Sequence, residues 1–574
     1  MQKYSKSIIF QTMKSKDYCI FAAVMKPQRL FGILLLLWVA IDFLQAIVTP
    51  VHADEAYYAL YGAHLAWGYY DHPPMVALMT AFSSLLFSKG LSIRFLTVLL
   101  HGLTVWLVWK TLPDRPKTNR EVWVFFAIAA SLVMFVAYGF MTVPDAPLLF
   151  FVALFFFLYR QYLQKPGWGV ALCLGLAMAG MLYSKYMAVL VAGFVLLSNL
   201  RLLKDSKIWV AGFIALALFL PHILWQVRNG FPSFQYHLVA RNTGFNFLHP
   251  LEFLPNQLLV FNPVCFCLAL FLCWRYRGTG DAFMRACIYS IIGFILFFWL
   301  MTLKGHAEPH WTVAASVPML LLLYHDLRQP AWEKWLRFGV VPMACILLIV
   351  RVALPVLAVE KIGVLGSQKK METIHAYCKG KQAVFVGSFQ NPSLYNYNTN
   401  EQPVQLSSLY GRRTQFDLWQ FDRQWQGKPV CLIGNVNAKS PIRDAVDLFL
   451  PGAEFSFREV KSFQGANRIE ITVDNYHVAG DTLFLDLTLY NPYNLPYDFN
   501  HPEFETTLHV AYKLQEYFAI TCPVPQQLVI PAGGSVKCST YCNFIPNTPF
   551  VVCLDNGACR SVNSKPMVIK DHDR

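Results

Sequence analysis

Charge is what this chain has least of. Only 14% of its 574 residues are charged, 55% are hydrophobic, and the mean hydropathy is +0.39. That excludes an ordinary soluble globular protein and points to a polytopic membrane protein. Carboxylates are scarcer than cations: 34 Asp+Glu stand against 48 Lys+Arg, a net charge of +14. In a soluble chain this excess would raise the question of nucleic acid. Here the basic residues fall in short loops between apolar runs, the positive-inside pattern, and no nucleic-acid partner is expected. No internal repeat and no low-complexity tract is present, which removes repeat architectures and biased disordered segments. Cys538-x-x-x-Cys542 has no His/Cys partner pair at zinc spacing, so disulfides are the better expectation there than zinc.

What is present is a series of apolar runs that ends near residue 357. Spans are predicted near 30–49, 92–110, 122–141, 146–163, 168–182, 186–200, 208–226, 253–273, 284–302, 311–326 and 337–357, about eleven in all. The short apolar stretch 74–88 reads as an interfacial helix. A basic N-terminus, 1–29, is expected in the cytoplasm, and the basic loops around Arg115, Lys165, Arg201, Arg275 and Arg328 fall on the same side. Asp54, Glu55, Asp71, Asp145, Lys185, Arg241, Lys304 and Glu308 fall on the opposite side. An odd number of spans sends the C-terminus outside, which predicts an integral inner-membrane protein with a periplasmic C-terminal region. Val51-His52-Ala53 resembles a signal-peptidase site, but the preceding run is long for a signal peptide, so an uncleaved anchor is expected.

Beyond the membrane part, 30–358, polar residues, Gly, Asn and Pro increase. A soluble α/β subdomain is predicted over 371–460, from the strand-like runs ending at Gly387 and Gly434. A β-sandwich of immunoglobulin-like type is predicted over 465–574, where Leu483, Leu485, Leu487 and Leu489 alternate with Phe484, Asp486, Thr488 and Tyr490. Of 14 cysteines, five lie in this last part: Cys522, Cys538, Cys542, Cys553 and Cys559. An exported domain can pair some of them and leave one over.

The chemistry is expected in the outer loops. Asp54-Glu55 follows the first span under Tyr57, Tyr58, Tyr61 and Trp67, where a carboxylate can act as a general base. A solvated loop acid is the plain alternative. In Asp71-His72-Pro73-Pro74 the prolines fix the backbone, so His72 can donate to a phosphate and Asp71 can orient it or bind a metal. Asp145 sits between Pro144 and Pro147 at a helix start, where an ordinary cap would also be Asp. Lys185 interrupts an apolar run and must face water or an anion, with phosphate the natural partner and snorkelling the alternative. His237 and Arg241 would share a helix face, and Arg241 can grip a phosphate bidentately. The segment Lys304 to Trp311 contains His306, Glu308 and His310, singly interfacial anchors and together the lining of a wet pocket.

These motifs, in this order, resemble the bacterial branch of the dolichyl-phosphate-mannose–protein mannosyltransferases and the related lipid A aminoarabinose transferases, polytopic glycosyltransferases of the GT-C class. The resemblance rests on Asp54-Glu55-Ala56-Tyr57-Tyr58, Tyr70-Asp71-His72-Pro73-Pro74, Pro144-Asp145-Ala146-Pro147, Ser184-Lys185-Tyr186 and Glu308-Pro309-His310-Trp311, across roughly 30–330. It implies transfer of a sugar from a polyprenyl phosphate on the non-cytoplasmic face to a protein, lipid or glycan acceptor. Asp54 would be the catalytic carboxylate, with Glu55 beside it, and Asp145 the second acid. His72, Lys185, Arg241, Lys304 and His310 would bind the phosphate, and a divalent cation would sit near Asp71 and His237. The aminoarabinose transferases have Glu-Lys where this chain has Asp71-His72, a pair that can lose its positive charge near neutral pH. Two rival readings differ in class. A flippase or transporter needs ionisable groups at the bilayer midplane. A display scaffold would leave its work to the soluble region.

Overall fold

The computed structural model describes residues 25–113, 115, 117–240, 244–360, 368–435, 448–449, 455–514 and 516–570. The chain divides into two compact units, Met1–Gly366 and Ser367–Arg574. Arg241, one of the expected phosphate ligands, lies outside the described residues.

The first unit is helical. Its first four helices are α1 Pro27–Val48, α2 Ala53–Ala63, α3 Met75–Leu86 and α4 Leu91–Thr111. Then come α5 Asn119–Ser131, α6 Asp145–Gln164, α7 Trp168–Ser184, α8 Val189–Ser198 and α9 Ser206–Arg228. Beyond these lie α10 Leu248–Phe261, α11 Pro263–Arg275 and α12 Ala282–Met301. Among the described residues six stretches are long and apolar enough to cross a membrane: α1, α4, α6, α9, α12 and the run Pro330–Pro355. A seventh is added if α10 and α11 form one bent crossing. The other expected spans are shorter or interrupted, α7 among them.

Two interruptions explain each other. The run expected as one span over 253–273 is bent by 106° between α10 and α11. Pro263 has no N–H with which to continue α10. Asn262, at φ +66°, caps α11 instead, its side chain accepting from the Cys265 N–H at 2.8 Å. The Asn262 amide also donates to the carbonyl of Ser131, the last residue of α5, where the expected span 122–141 breaks. The Asn262 side chain thus satisfies one backbone group at each break, groups that hydrocarbon would leave unpaired. The expected span 311–326 is a tight turn, Pro309–Ala315, running into a helix, Ser316–Leu327, in which every residue but His325 is buried.

One charged cluster lies within the helices. Asp42 of α1 is fully buried, with one carboxylate oxygen 2.7 Å from the Arg351 guanidinium and the other 2.7 Å from His101 Nδ1 of α4. A carboxylate at this depth needs such partners to remain ionised.

The second unit begins with a mixed sheet. Its strands are β1 Gln382–Val386, β2 Val404–Leu406, β3 Val430–Asn435, β4 Leu448–Phe449 and β5 Phe455–Val460, in the order β2-β1-β3-β5-β4. The first three are parallel, and β3–β5 and β5–β4 are antiparallel. A sandwich follows. One sheet has the order β10-β7-β6, with β6 Glu470–Ala479, β7 Thr482–Tyr490 and β10 Ser535–Asn543. The facing sheet has the order β9-β8-β11-β12, with β8 Thr507–Lys513, β9 Tyr517–Cys522, β11 Phe550–Asp555 and β12 Arg560–Val562. The leucine alternation of β7 is realised: Leu483, Leu485, Leu487 and Leu489 are buried against Leu508, Val510 and Val552 of the facing sheet. Phe504, Ala558 and Cys559 pack in one core with Val384 and Val430, so sandwich and mixed sheet share apolar contacts.

Candidate functional site

The Asp54 loop is built on Arg94. This side chain is fully buried, and its guanidinium grips Glu55 through Nε and one terminal nitrogen at 2.8 and 2.5 Å. The remaining donors reach the carbonyls of Ala46, Thr49 and Pro50 at 3.1, 2.6 and 3.0 Å, capping the end of α1. Glu55 also accepts from the backbone N–H of His52 at 3.0 Å and of Thr142 at 2.8 Å. His52 closes a reciprocal cap at the start of α2, its ring accepting from the Asp54 N–H at 3.2 Å. Glu55 therefore has a structural duty: it is locked while its neighbour faces outward. Asp54 keeps 37% of its side chain exposed, against 0% for Glu55.

The Asp71 turn is held from three sides. The Tyr57 and Tyr61 hydroxyls donate to one Asp71 oxygen at 3.0 and 3.1 Å. Burial first, then the neighbouring Tyr57 and the Asp71 carboxylate, push the Tyr61 phenol well above the ordinary tyrosine range, so it remains a donor. Tyr69 stacks on Tyr61 with ring centres 4.0 Å apart. Ahead of it, Gly68 lies so close to α9 that a Cβ would come within 2.4 Å of the Trp225 ring. The Trp67 carbonyl accepts from His222 Nδ1 at 2.7 Å, and His222 Nε2 accepts from the Tyr186 hydroxyl at 2.9 Å. Gln226 donates to Tyr186 and Ser233, and Ser233 donates to the Tyr69 carbonyl at 2.9 Å. His237 Nε2 donates to the Asp71 backbone carbonyl at 3.1 Å. The ring of His237 lies 6.4 Å from His72 and 5.7 Å from Tyr186.

Lys185, next to Tyr186, turns to α6. Its ammonium lies 2.8 Å from both oxygens of Asp145, and both side chains are almost wholly buried. The anion that an intramembrane lysine was expected to need is therefore supplied by the chain itself. Tyr138 joins the acids: Asp145, Asp54 and Glu308 all act electrostatically on its buried phenol. Asp54, Asp145, Glu308, Lys185, Tyr186, His237, His72 and Asp71 thus form one connected neighbourhood. Lys304 is exposed and His310 half-buried, and Glu308 lies 3.7 Å from His306.

The expected cation at Asp71 and His237 finds little to hold it. The Asp71 carboxylate is engaged by two hydroxyls, and His237 points its Nε2 at a carbonyl. Among the described residues no group of three His, Cys, Asp or Glu side chains could hold an ion. Sequence reasoning also missed Arg94, Tyr138, His222 and Gln226. For Arg94 the signal was available, because it and the terminal Lys110 are the only charges in the apolar run 92–110.

Residues 71–225 match the family described as dolichyl-phosphate-mannose-protein mannosyltransferase, a stretch that contains Asp71, His72, Asp145 and Lys185. The chain is 27% identical over 315 residues to the lipid A galacturonosyltransferase RgtD of Rhizobium johnstonii, a match that takes in 51% of this chain and 63% of that protein. Its fold is similar to that of ArnT from Cupriavidus metallidurans in the apo state, with a TM-score of 0.57 at 13% identity over 74% of this chain and 97% of ArnT. ArnT bound to undecaprenyl phosphate gives a TM-score of 0.56 at 14% identity over 75% and 97%. The helical unit, with Asp54 at the start of α2 and Asp145 at the start of α6, thus has a GT-C-like fold and is similar in sequence, over part of its length, to GT-C glycosyltransferases.

Proposed function

We propose that this protein transfers a sugar from a polyprenyl-phosphate donor to a lipid acceptor on the periplasmic face of the inner membrane, with Asp54 accepting the acceptor's proton. The observation that carries this is the run of contacts from the Asp145–Lys185 pair through the neighbouring Tyr186 to His237, His72 and Asp71, with Asp54 reachable beside the locked Glu55. A general base must be reachable, and Asp54 is exposed where Glu55 and Asp145 are sealed. ArnT has been obtained with undecaprenyl phosphate bound, and RgtD is named for lipid A; both favour a polyprenyl-phosphate carrier and a lipid acceptor here.

In this scheme the acceptor hydroxyl gives its proton to Asp54 and attacks the anomeric carbon. The carbon–oxygen bond to phosphate breaks, the phosphate keeps the electron pair, and direct displacement inverts the anomeric centre. Lys185, leaving Asp145, stabilises the departing phosphate together with Lys304, His310, His72 and Arg241. Preorganised donors of this kind are worth about 10²–10³ in rate each. Asp145 holds Lys185 in place until the phosphate arrives. The test is Asp54→Asn in membranes supplied with radiolabelled polyprenyl-phosphate sugar. Transfer is expected to fall at least about 10²-fold at unchanged protein level, and retained transfer removes Asp54 from the mechanism. One observation favours the alternative of a polyprenyl-lipid flippase or transporter, the buried Asp42–His101–Arg351 cluster. The same assay separates the two, because a transporter leaves the sugar–phosphate bond intact.

A further inference from the structure

Four cysteines of the second unit meet in two pairs. Cys522 ends β9 and Cys542 lies near the end of β10, the edge strands of the two facing sheets. Two hydrogen bonds fix how these strands meet. Thr540 Oγ1 donates to the Pro523 carbonyl at 2.6 Å, and Tyr512 Oη of β8 donates to the Asn543 carbonyl at 3.0 Å. Between these ties the two thiols lie beside one another in the sandwich core, 4% and 5% exposed, and Cys522 Sγ donates to the Ile520 carbonyl at 3.5 Å. Cys538 lies four residues back along β10, about 13 Å at the strand rise, out of reach of Cys522. The Cys559 thiol is directed to the Ser407 carbonyl at 3.3 Å.

The second pair is fixed independently. Cys378 ends the helix Gln368–Cys378, and Cys431 lies in β3. Tyr377 packs at a tilt on Phe457 of β5, ring centres 4.4 Å apart. Lys381, whose N–H donates to the Cys378 carbonyl, ion-pairs with Glu459, directly opposite Cys431 in the β3–β5 register. The Cys378 and Cys431 thiols lie beside one another and are almost fully buried.

We propose that the second unit carries two disulfide bonds, Cys522–Cys542 and Cys378–Cys431, formed in an oxidising compartment. The proposal rests on the outward orientation of this unit adopted above. Each bond forms when two thiols lose two protons and pass two electrons, through a mixed disulfide, to a disulfide-bearing oxidant such as a thiol oxidase. All four sulfurs are buried, so the exchange takes place before the sheets close over them. One bridge joins the two sheets of the sandwich at their edges. The other ties a helix to the centre of the mixed sheet.

Whole cells are treated with N-ethylmaleimide before lysis, and the intact protein is purified, digested without reductant and mapped by mass spectrometry. The expected products are one linked peptide joining Cys522 to Cys542 and one joining Cys378 to Cys431, both dissolved by reductant. Each bridge stands or falls by its own peptide. Free thiols at a pair, or linkage to Cys538, Cys553 or Cys559, overturns that bridge. In parallel, purified protein reduced in denaturant is refolded in a reduced/oxidised glutathione buffer. A bridge that forms there but not in cells places the failure in the assumed orientation. A bridge that forms in neither places it in the pairing.

Discussion

Arg94→Lys keeps a positive charge at the hub of the Asp54 loop but removes the guanidinium fork. Arg94 makes five hydrogen bonds, two to Glu55 and three to the carbonyls that end α1. A lysine ammonium has three protons on one nitrogen and cannot reach acceptors spread around a planar group. At least two buried acceptors lose their donor, at about 1–3 kcal/mol each, so a stability loss of about 2–6 kcal/mol is expected. Arg94→Met leaves Glu55 buried with no counter-charge, which costs about 3–5 kcal/mol. Glu55→Gln combined with Arg94→Met should recover part of that loss, because the stranded charge is gone. Activity should not recover. The peptide between the α1 end and Glu55 carries Asp54, and a displacement of about 1 Å at a reacting group costs on the order of 10²-fold in rate. The assay pairs denaturant titration of the protein in mixed micelles with transfer kinetics in nanodiscs. Arg94→Lys with unchanged turnover, or a double variant that regains turnover along with stability, would refute the idea that Arg94 positions Asp54.

Asp145→Asn and Lys185→Met should each lower stability by about 3–5 kcal/mol, while the double variant folds better than either and stays inactive in the transfer assay. Gly68→Ala should lower transfer without removing any charged group, since its Cβ would meet Trp225 at 2.4 Å and His222 at 2.8 Å; unchanged transfer would mean the loop has slack. Burial first, then Arg560, hold the His509 imidazole down at about 4, with its ring nitrogens 2.8 and 3.3 Å from the Thr507 and Thr521 hydroxyls. The unfolded chain, near 6.5, binds the proton first, so this contribution is complete above pH 6.5 and is lost as pH falls toward 4. The loss is at most about 3 kcal/mol at about 1.36 kcal/mol per pH unit, and His509→Gln should flatten that slope in denaturant titrations.

Hydropathy made the helical unit and its end near residue 357 legible, because one long apolar run needs no partner to be recognised. It could not show that the apolar run 253–273 breaks at Asn262, since Pro263 and the Ser131 carbonyl act together from distant parts of the chain. The residues of the site were legible as charges out of place; their partners were not. Lys185 was expected to seek an anion, but Asp145, 40 residues away, could not be identified without the fold. Glu55 looked equivalent to Asp54 in sequence. The two differ because adjacent helical residues point about 100° apart, one toward Arg94 and one outward. The cysteine count suggested pairing within the last 110 residues, whereas one of the close pairs joins Cys378 to Cys431 in the mixed sheet.

The Asp145–Lys185 contact has an electrical consequence. With the two charges cancelling 2.8 Å apart, the resting cleft offers no bare cation at this point. Membrane headgroups, abundant and each singly anchored, gain little by entering it. A guest must bring enough oxygen atoms to replace both arms of a carboxylate before the lysine will change partners. If Lys185 receives the donor phosphate as proposed, discrimination against the bulk lipid would be set by an exchange of ligands rather than by net attraction, and should vary little with ionic strength.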